Sequence, residues 1–325
     1  MPKNKVVVIN TGGTISMEEN PTEKGVGNAN PKKLESILTS VQSSIEVEML
    51  HYLDKPSPHI TLQDMYHLSL KTQNILEQET VAGVVITHGT DTLEETAFFL
   101  HLTVQSKKPV IFTGAMRSHN ELSADGPRNL IQAIRVAIHP SAQNRGTLVV
   151  FNDEIHSANA VTKIHTHQPS TFQSPGRGPI GSIFNEQILF YSPPQRDPLI
   201  PLTTPIADVF LIKAVAGLDD RLIQYALQQP VDGIVIEALG QGNLPPTLLP
   251  ACRQAIQQQI PILLVSRCLE GGVEGTYDYE GGGKQLKELG LIFCPGLLGP
   301  KARIKLILAR SAEKQLPAYR PFYQQ

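Results

Sequence analysis

The stretch Val6-Val7-Val8-Ile9-Asn10-Thr11-Gly12-Gly13-Thr14 decides the fold, because an apolar run ends there in a turn that contains two glycines. A run of β-branched residues without polar alternation is typical of a strand that is buried on both faces, as in a parallel sheet. Glycines directly after such a strand allow a sharp turn and a close approach of the backbone to a ligand. On its own, this turn is equally compatible with a binding site and with a purely structural role.

Apolar runs of the same kind recur along the chain and alternate with helical patterns. They predict strands at residues 6–9, 84–87, 109–113, 147–151, 209–212, 233–236 and 262–265. Helix starts with typical capping residues are predicted at Asn30-Pro31, at Thr61 with Asp64, and at Asp125-Gly126-Pro127. The order of elements predicts an α/β protein, with a larger N-terminal doubly wound domain around a mostly parallel sheet and a smaller C-terminal α/β domain with a parallel sheet.

A proline-rich segment separates the two predicted domains. Residues 191–205 carry five prolines and no helical period, which is typical of an extended connection. Two domains are also expected from the length of 325 residues, because single cores rarely grow beyond about 250 to 300 residues. We predict an N-terminal domain at 1–190, a linker at 191–208 and a C-terminal domain at 209–325.

Composition argues against several classes of partner. The formal net charge is -2 and no block of like charges stands out, so neither nucleic acid nor an anionic membrane is an expected partner. No segment approaches the roughly 20 apolar residues of a membrane span, and the first apolar run is too short for a secretory signal. The three cysteines are far apart and lack metal-ligand spacing, as is typical of a reducing compartment. These features predict a soluble, cytoplasmic protein.

A second polar turn, Thr87-His88-Gly89-Thr90-Asp91-Thr92, also follows a predicted strand directly and precedes a predicted helix. A hydroxyl at such a turn is exposed at the top of the sheet, and the first turn of the helix offers backbone N–H donors to a carboxylate or an oxyanion. Asp91 has a simpler alternative role as the cap of that helix.

Two further segments carry polar groups close to predicted strands: Gly114-Ala115-Met116-Arg117 and Val161-Thr162-Lys163. A lysine beside threonine hydroxyls can act as a general base when burial lowers its pKa, but an isolated lysine is more often a solvated charge. Spacing alone therefore does not decide the role of Lys163.

Nucleotide and metal sites are both disfavoured by the sequence. The turn at residues 10–16 lacks the G-x-G-x-x-G pattern of a nucleotide-binding loop, and Gly283-Lys284 is followed by Gln285 where a phosphate-binding loop needs Ser or Thr. The histidines of His165-Thr166-His167 lack a third ligand at a recognisable spacing. We expect no metal site.

Taken together, the motifs resemble those of the bacterial-type L-asparaginase and glutaminase-asparaginase family, and they occur in that family's order. The resemblance rests on Thr11-Gly12-Gly13-Thr14-Ile15, on residues 87–92, on residues 114–117 and on Ser123-Ala124-Asp125-Gly126-Pro127. It continues through Asn152-Asp153, Val161-Thr162-Lys163, Gly240-Gln241-Gly242-Asn243 and Pro300-Lys301-Ala302-Arg303, so it covers nearly the whole chain. It implies a cytoplasmic enzyme that hydrolyses L-asparagine to L-aspartate and ammonia without a cofactor, with L-glutamine as a side substrate.

The resemblance also implies a role for each catalytic residue. Thr14 corresponds to the family's nucleophile. Thr90, Lys163 and Asp91 correspond to its hydrogen-bonded triad, in which neutral Lys163 accepts a proton and Asp91 binds the ammonium group of the substrate. The backbone N–H groups near Thr90 and Ala115 resemble the family's oxyanion hole.

Substrate contacts follow from the same resemblance. Ser57 is the best match for the serine that anchors the substrate carboxylate. Pro58 stands where many relatives carry Gln or Ser, and it has neither a side-chain donor nor a backbone N–H, so one contact is lost or replaced. Asn243 and Glu280 are the best matches for residues that complete the site of a neighbouring subunit. A homodimer or homotetramer is therefore implied.

Two alternatives stay open at this point. The amidase subunit of a tRNA-dependent amidotransferase has a similar core, but we would expect an N-terminal extension before the first strand. A catalytically weak amino-acid-binding protein of the same fold is favoured by Pro58 and by a missing tyrosine in the segment 18–30, where many relatives carry one. The presence of Thr14, Thr90, Asp91 and Lys163 argues for the enzyme.

The missing tyrosine leads to a first prediction. We hypothesise that Tyr277 or Tyr279 supplies the phenol from another element. A Tyr277→Phe/Tyr279→Phe double variant should then release ammonia from L-asparagine more slowly, because Phe keeps the ring and removes only the hydroxyl. Unchanged steady-state kinetics of the double variant would remove the hypothesis.

Overall fold

The computed structural model describes residues 5–20, 25–27 and 45–324. The chain divides into two compact units, Met1–Leu199 and Ile200–Gln325. The helix predicted after Asn30 lies outside the described residues, as does part of the segment 18–30. The described parts of that segment pair as two short antiparallel strands, β2 (Glu18–Asn20) and β3 (Gly25–Gly27).

The first unit is built around one sheet of eight strands, covered by helices. The remaining strands of this unit are β1 (Lys5–Asn10), β4 (Glu46–His51), β5 (Val81–Thr87), β6 (Val110–Thr113), β7 (Thr147–Phe151), β8 (Glu154–Ser157), β9 (Thr162–Lys163), β10 (Phe172–Gln173), β11 (Gly181–Phe184) and β12 (Gln187–Phe190). The helices are α1 (Leu62–Leu76), α2 (Leu93–Thr103) and α3 (Gly126–Ile138).

The strand order in the large sheet is β12-β11-β8-β7-β6-β5-β1-β4. Strands β4, β1, β5, β6 and β7 are parallel neighbours, and β8, β11 and β12 extend the sheet in antiparallel fashion. The β-branched residues Val6, Val8 and Ile9 of β1 and residues 84–86 of β5 are fully buried, as their apolar runs predict. The predicted doubly wound domain with a mostly parallel sheet is confirmed.

Helix packing follows from the sequence pattern. Helix α3 places Leu130 and Ile134 in one core with Val8 of β1 and Ile111 of β6. Helix α1 begins at Thr61, whose hydroxyl accepts a hydrogen bond from the Asp64 N–H at 3.1 Å, while the Asp64 carboxylate accepts one from the Thr61 N–H at 2.8 Å. This reciprocal capping confirms the predicted helix start.

The second unit is a smaller α/β layer structure. Its parallel strands, in the order in which they pair, are β13 (Val209–Lys213), β14 (Gly233–Ala238), β15 (Ile262–Ser266) and β16 (Ile292–Phe293). Its helices are α4 (Arg221–Leu227), α5 (Leu249–Gln257), α6 (Gly283–Leu289) and α7 (Gly299–Gln315). The predicted small parallel sheet is confirmed. In the part of the chain that the structure describes, no helix is both long and apolar enough to cross a membrane.

The turns after β1 and β5 approach each other backbone to backbone at Gly13 and Gly89. Gly13 has a φ of +88°, and a Cβ added there would lie 2.4 Å from the Gly89 nitrogen. Such a distance is far inside van der Waals contact, so no side chain fits at this position without moving the second turn. This contact brings the two polar turns of the sequence together.

The contact predicts a specific cost for Gly13→Ala. The matched control is Gly178→Ala, since Gly178 also has a positive φ of +72° but nothing lies within 4 Å of its added Cβ. The positive φ costs Gly178→Ala about 1–2 kcal/mol of backbone strain. Gly13 has a ψ of 174°, in a region that essentially only glycine occupies, so its backbone strain is about 1–3 kcal/mol. Gly13→Ala should cost about 1–3 kcal/mol more, because it overpacks the contact with Gly89. Urea unfolding of both variants measures the difference. Equal losses of stability would show that the second turn moves away from the added methyl group without a cost in free energy.

Candidate active site

The turns that follow β1, β5 and β6 lie at one edge of the large sheet. Asn10 of β1 pairs in register with Thr87 of β5, and Thr87 pairs with Thr113 of β6. Because these strands are parallel, all three turns emerge on the same side. A pocket of about 240 Å³ opens there and is lined by Gly13, Thr14, Met17, Pro56, Ser57, Pro58, Gly89, Thr90, Asp91, Met116, Lys163 and Thr166.

Buried polar side chains bind the first turn to the end of β5. The Asn10 side-chain oxygen accepts hydrogen bonds from the Gly12 N–H at 3.1 Å and from the Thr87 hydroxyl at 2.8 Å. The Thr11 hydroxyl donates to the Thr87 carbonyl at 2.8 Å. Buried polar groups are costly unless they are paired, so these bonds specify one geometry for the turn. Thr11 therefore supports the turn and does not line the pocket.

Thr14 follows as the first residue of a short 3-10 turn, Thr14–Ser16. It is half-buried and lines the pocket. The Ser16 N–H donates to the Gly13 carbonyl and the Met17 N–H to the Thr14 carbonyl, each at 3.0 Å. Among the described residues, no group forms a hydrogen bond with the Thr14 hydroxyl, which leaves that oxygen available to a ligand.

Lys163 joins the second turn from β9. Its Nζ donates to the Thr90 hydroxyl at 3.0 Å and to the Asp91 carboxylate at 2.7 Å. The Thr90 and Lys163 side chains are largely buried, whereas the Asp91 side chain is 58% exposed. The structure thus brings the three predicted triad residues together beside Thr14 in one pocket.

Asp91 does not cap the neighbouring helix. The N-cap of α2 is Thr92, which makes no side-chain capping bond. The Thr92 hydroxyl instead donates to the Ser57 carbonyl at 2.8 Å. The capping alternative for Asp91 is therefore wrong, because its carboxylate is paired with Lys163.

Ser57 and Pro58 reach the pocket from the loop before α1. Ser57 is buried, and its hydroxyl oxygen accepts a hydrogen bond from the Asp91 N–H at 3.1 Å. Because the hydroxyl hydrogen is not used in that bond, it remains available to a ligand. A Cβ added at Gly89 would lie 2.9 Å from the Ser57 side chain, so this loop packs tightly on the second turn.

Ala115 is buried directly after β6, and its neighbour Met116 lines the pocket. No local sequence pattern predicts how this third turn is held. The Asp125 carboxylate accepts hydrogen bonds from the Met116 N–H at 3.0 Å and from the Arg117 N–H at 2.9 Å. Asn129 donates to the Gly114 carbonyl at 3.0 Å. Asp125 precedes α3 and was expected to open that helix, but it makes no side-chain capping bond there.

Of the candidate residues of the second unit, Asn243 lies in the turn after β14, and Tyr277, Tyr279 and Glu280 lie in the segment before α6. The Asn243 side-chain oxygen accepts a hydrogen bond from the Gly283 N–H at 3.1 Å. Glu280, Tyr277 and Tyr279 are exposed, and the two tyrosine rings lie 5.7 Å apart between centroids. The lining residues of the pocket all come from the first unit, so these side chains are not among them.

His88 belongs to the second turn, and its side chain is buried in the interior. Burial lowers its pKa to about 4, against the opposing effect of a hydrogen bond to the Gly89 carbonyl. The imidazole is therefore neutral at physiological pH. Among the described residues, no group of three or more His, Cys, Asp or Glu side chains is arranged to hold a metal ion.

Family models match nearly the whole chain. The model described as "Asparaginase, N-terminal" matches residues 5–196, and "Glutaminase/Asparaginase C-terminal domain" matches residues 208–320.

Individual proteins agree with the family models. The L-asparaginase of Bacillus licheniformis is 32% identical over 96% of this chain and 97% of its own length. A probable L-asparaginase of Deinococcus radiodurans is 38% identical over 94% of this chain and 92% of its own length. The crystal structure of a probable cytoplasmic L-asparaginase from Campylobacter jejuni superposes with a TM-score of 0.85 at 28% identity, covering 94% of this chain and 95% of that one. Both domains and almost the full length are shared with these enzymes, and the chain therefore belongs to the asparaginase family of hydrolases.

Proposed function

We propose that this protein hydrolyses L-asparagine to L-aspartate and ammonia in the pocket that contains Thr14. One observation carries the proposal: Lys163 donates hydrogen bonds to both Thr90 and Asp91 in the same pocket as Thr14, in a member of the asparaginase family. This arrangement combines a candidate nucleophile, a proton path and a charged anchor for an amino acid.

Thr14 attacks the side-chain amide carbon in the proposed first step. A threonine hydroxyl is a weak nucleophile at neutral pH, so its proton must be accepted as the C–O bond forms. The proton passes through the Thr90 hydroxyl to Lys163 Nζ, which lies 3.0 Å from it, and this step requires that Lys163 has first given up its own proton. The tetrahedral intermediate collapses when the C–N bond breaks and the departing nitrogen takes up a proton as ammonia. Water then hydrolyses the acyl ester on Thr14 and releases L-aspartate.

Backbone N–H groups stabilise the oxyanion of this intermediate. We assign this role to the N–H groups of Thr90 and Ala115, which follow β5 and β6 at the same edge of the sheet. Removal of one such donor typically costs roughly 100 to 1,000-fold in turnover. The third turn is held by Asp125, which supports the position of Ala115 indirectly.

Substrate selection rests on the charged ends of the amino acid. The exposed Asp91 carboxylate binds the α-ammonium group, and the Ser57 hydroxyl donates to the α-carboxylate. Pro58 lines the pocket without a donor, so it offers only apolar contact. L-Glutamine is a side substrate in this proposal, since one methylene in a pocket is worth only about 1–3 kcal/mol of discrimination.

Ammonia release by purified protein tests the proposal. Thr14→Ala and Thr90→Val should each lower kcat on L-asparagine by roughly 1,000-fold or more, because each removes a hydroxyl on the reaction path. Thr14→Ser is the matched control and should retain activity, since it keeps the nucleophilic oxygen. Rapid quenching and mass spectrometry should detect an acyl adduct in the wild type and none in Thr14→Ala. Calorimetric binding of L-asparagine without ammonia release from the wild type would identify an amino-acid-binding protein instead.

The assembly and location of the protein are part of the same proposal. We propose a homodimer or homotetramer in the cytoplasm, in which the region 209–325 of one subunit follows a linker at 191–208 and contributes Asn243 and Glu280 to the site of its neighbour. The support is the family membership of both domains.

Mixing two inactive variants tests the shared site. Thr14→Ala and Asn243→Ala should each be weakly active alone. Co-expression in equal amounts should restore activity to about a quarter of the wild-type level, because half of the dimers are hybrids and each hybrid contains one intact site. A mixture no more active than its components would place both residues in the site of one subunit.

A further inference from the structure

His88 packs in the interior below the second turn and makes two side-chain hydrogen bonds. Its Nδ1 lies 2.7 Å from the Gly89 carbonyl oxygen, and its Nε2 lies 3.0 Å from the Thr96 hydroxyl of α2. The ring also packs against Phe112 of β6, at 6.0 Å between centroids. The imidazole thus links the turn to the first turns of α2 and to the neighbouring strand.

Chemistry fixes the tautomer of this ring. A carbonyl oxygen can only accept a hydrogen bond, so Nδ1 carries the proton and donates to Gly89. In the neutral imidazole Nε2 is then an acceptor, and the Thr96 hydroxyl donates to it. Both ring nitrogens are satisfied, which is the condition for burying a polar ring in this position.

The bond from Nδ1 also fixes the direction of the next N–H group. The peptide unit that joins Gly89 to Thr90 is planar and trans, so its C=O and N–H point in opposite directions. The carbonyl points to His88 in the interior. The Thr90 N–H therefore points away from His88, and Gly89 and Thr90 both line the pocket. Within residues 5–20, 25–27 and 45–324, no acceptor is paired with this N–H.

The preceding peptide unit, which joins His88 to Gly89, is closely packed between glycines of the neighbouring turns. A Cβ at Gly13 would lie 2.4 Å from the Gly89 nitrogen, and a Cβ at Gly114 would lie 2.5 Å from the His88 carbonyl oxygen. Gly13 and Gly114 thus leave space for the turn but form no side-chain contact that would orient its peptide units. Among the described residues, the hydrogen bond from His88 is the only one made by the Gly89–Thr90 peptide unit.

We propose that His88 is a positioning residue, whose Nδ1–H holds the Gly89 carbonyl so that the Thr90 N–H faces the oxyanion. The inference rests on the proposed function, since the oxyanion forms only if the pocket performs amide hydrolysis. His88 does not touch the substrate and does not exchange protons with it.

Two amide substitutions separate this role from simple packing. In His88→Asn the side-chain NH₂ occupies the place of Nδ1 and can still donate to Gly89. In His88→Gln the amide reaches the place of Nε2, so the contact with Thr96 is kept and the contact with Gly89 is lost. Both variants remove the imidazole ring, and their melting temperatures report the common packing cost.

Steady-state kinetics on L-asparagine provide the test. His88→Gln should lower kcat by roughly 100-fold with little change in KM, because a misdirected donor weakens the transition state more than the ground state. His88→Asn should recover most of that loss at a similar melting temperature.

Equal kcat values for the two variants, or a wild-type kcat for His88→Gln, would overturn the assignment of His88. Absence of ammonia release from the wild type would instead overturn the proposed function itself. The two failures are therefore distinguishable in one set of measurements.

Discussion

The site depends first on the parallel pairing of β1 with β5 in a register that sets Asn10 beside Thr87. Both side chains are buried, and they satisfy each other through a hydrogen bond of 2.8 Å. A shift of one residue would turn each side chain to the opposite face of the sheet and leave buried polar groups unpaired. The register that forms the core is thus the same register that places the two polar turns side by side.

The remaining polar groups approach this pair of turns from more distant elements. Lys163 arrives on β9, after the chain has left the parallel part of the sheet. Its ion pair with Asp91 contributes little to stability, because an aspartate that is 58% exposed is screened by water. The pair matters instead for the polarity of the pocket. Ser57 contributes to both stability and the pocket, since it satisfies the Asp91 N–H from a loop anchored by the capped start of α1.

Sequence patterns predicted the parallel core well and the periphery poorly. All seven predicted strands occur in the structure, because uninterrupted β-branched runs have few alternatives in an α/β chain. Strand β4 was missed because it lies at the edge of the sheet, where exposed Glu46 and Glu48 alternate with partly buried residues and break the apolar pattern. The antiparallel strands β8, β11 and β12 were missed because their four-residue sequences contain polar residues or glycine and include partly or fully exposed positions, so they lack the uninterrupted apolar run of β6.

The site shows the same limit. Thr14 and Thr90 follow predicted strands directly, so local pattern was sufficient to select their turns. Lys163 and Asp91 are 72 residues apart in the chain. Only the family resemblance predicted that their side chains are in contact. The bonds from Asp125 to the third turn had no local signal, since an aspartate before a helix is ordinarily expected to cap it.

The backbone contact between Gly13 and Gly89 has a consequence for how such a site can diversify. Because no side chain lies between Gly13 and Gly89, a change of side-chain size at this contact cannot adjust the spacing between the residues that follow them. Variation in ligand size must come from the surrounding loop at 56–58 and from Met17, Met116 and Thr166, whose side chains line the rest of the pocket. The spacing of the reactive residues is therefore fixed, and evolutionary change in substrate size is confined to the side chains that line the outer part of the pocket.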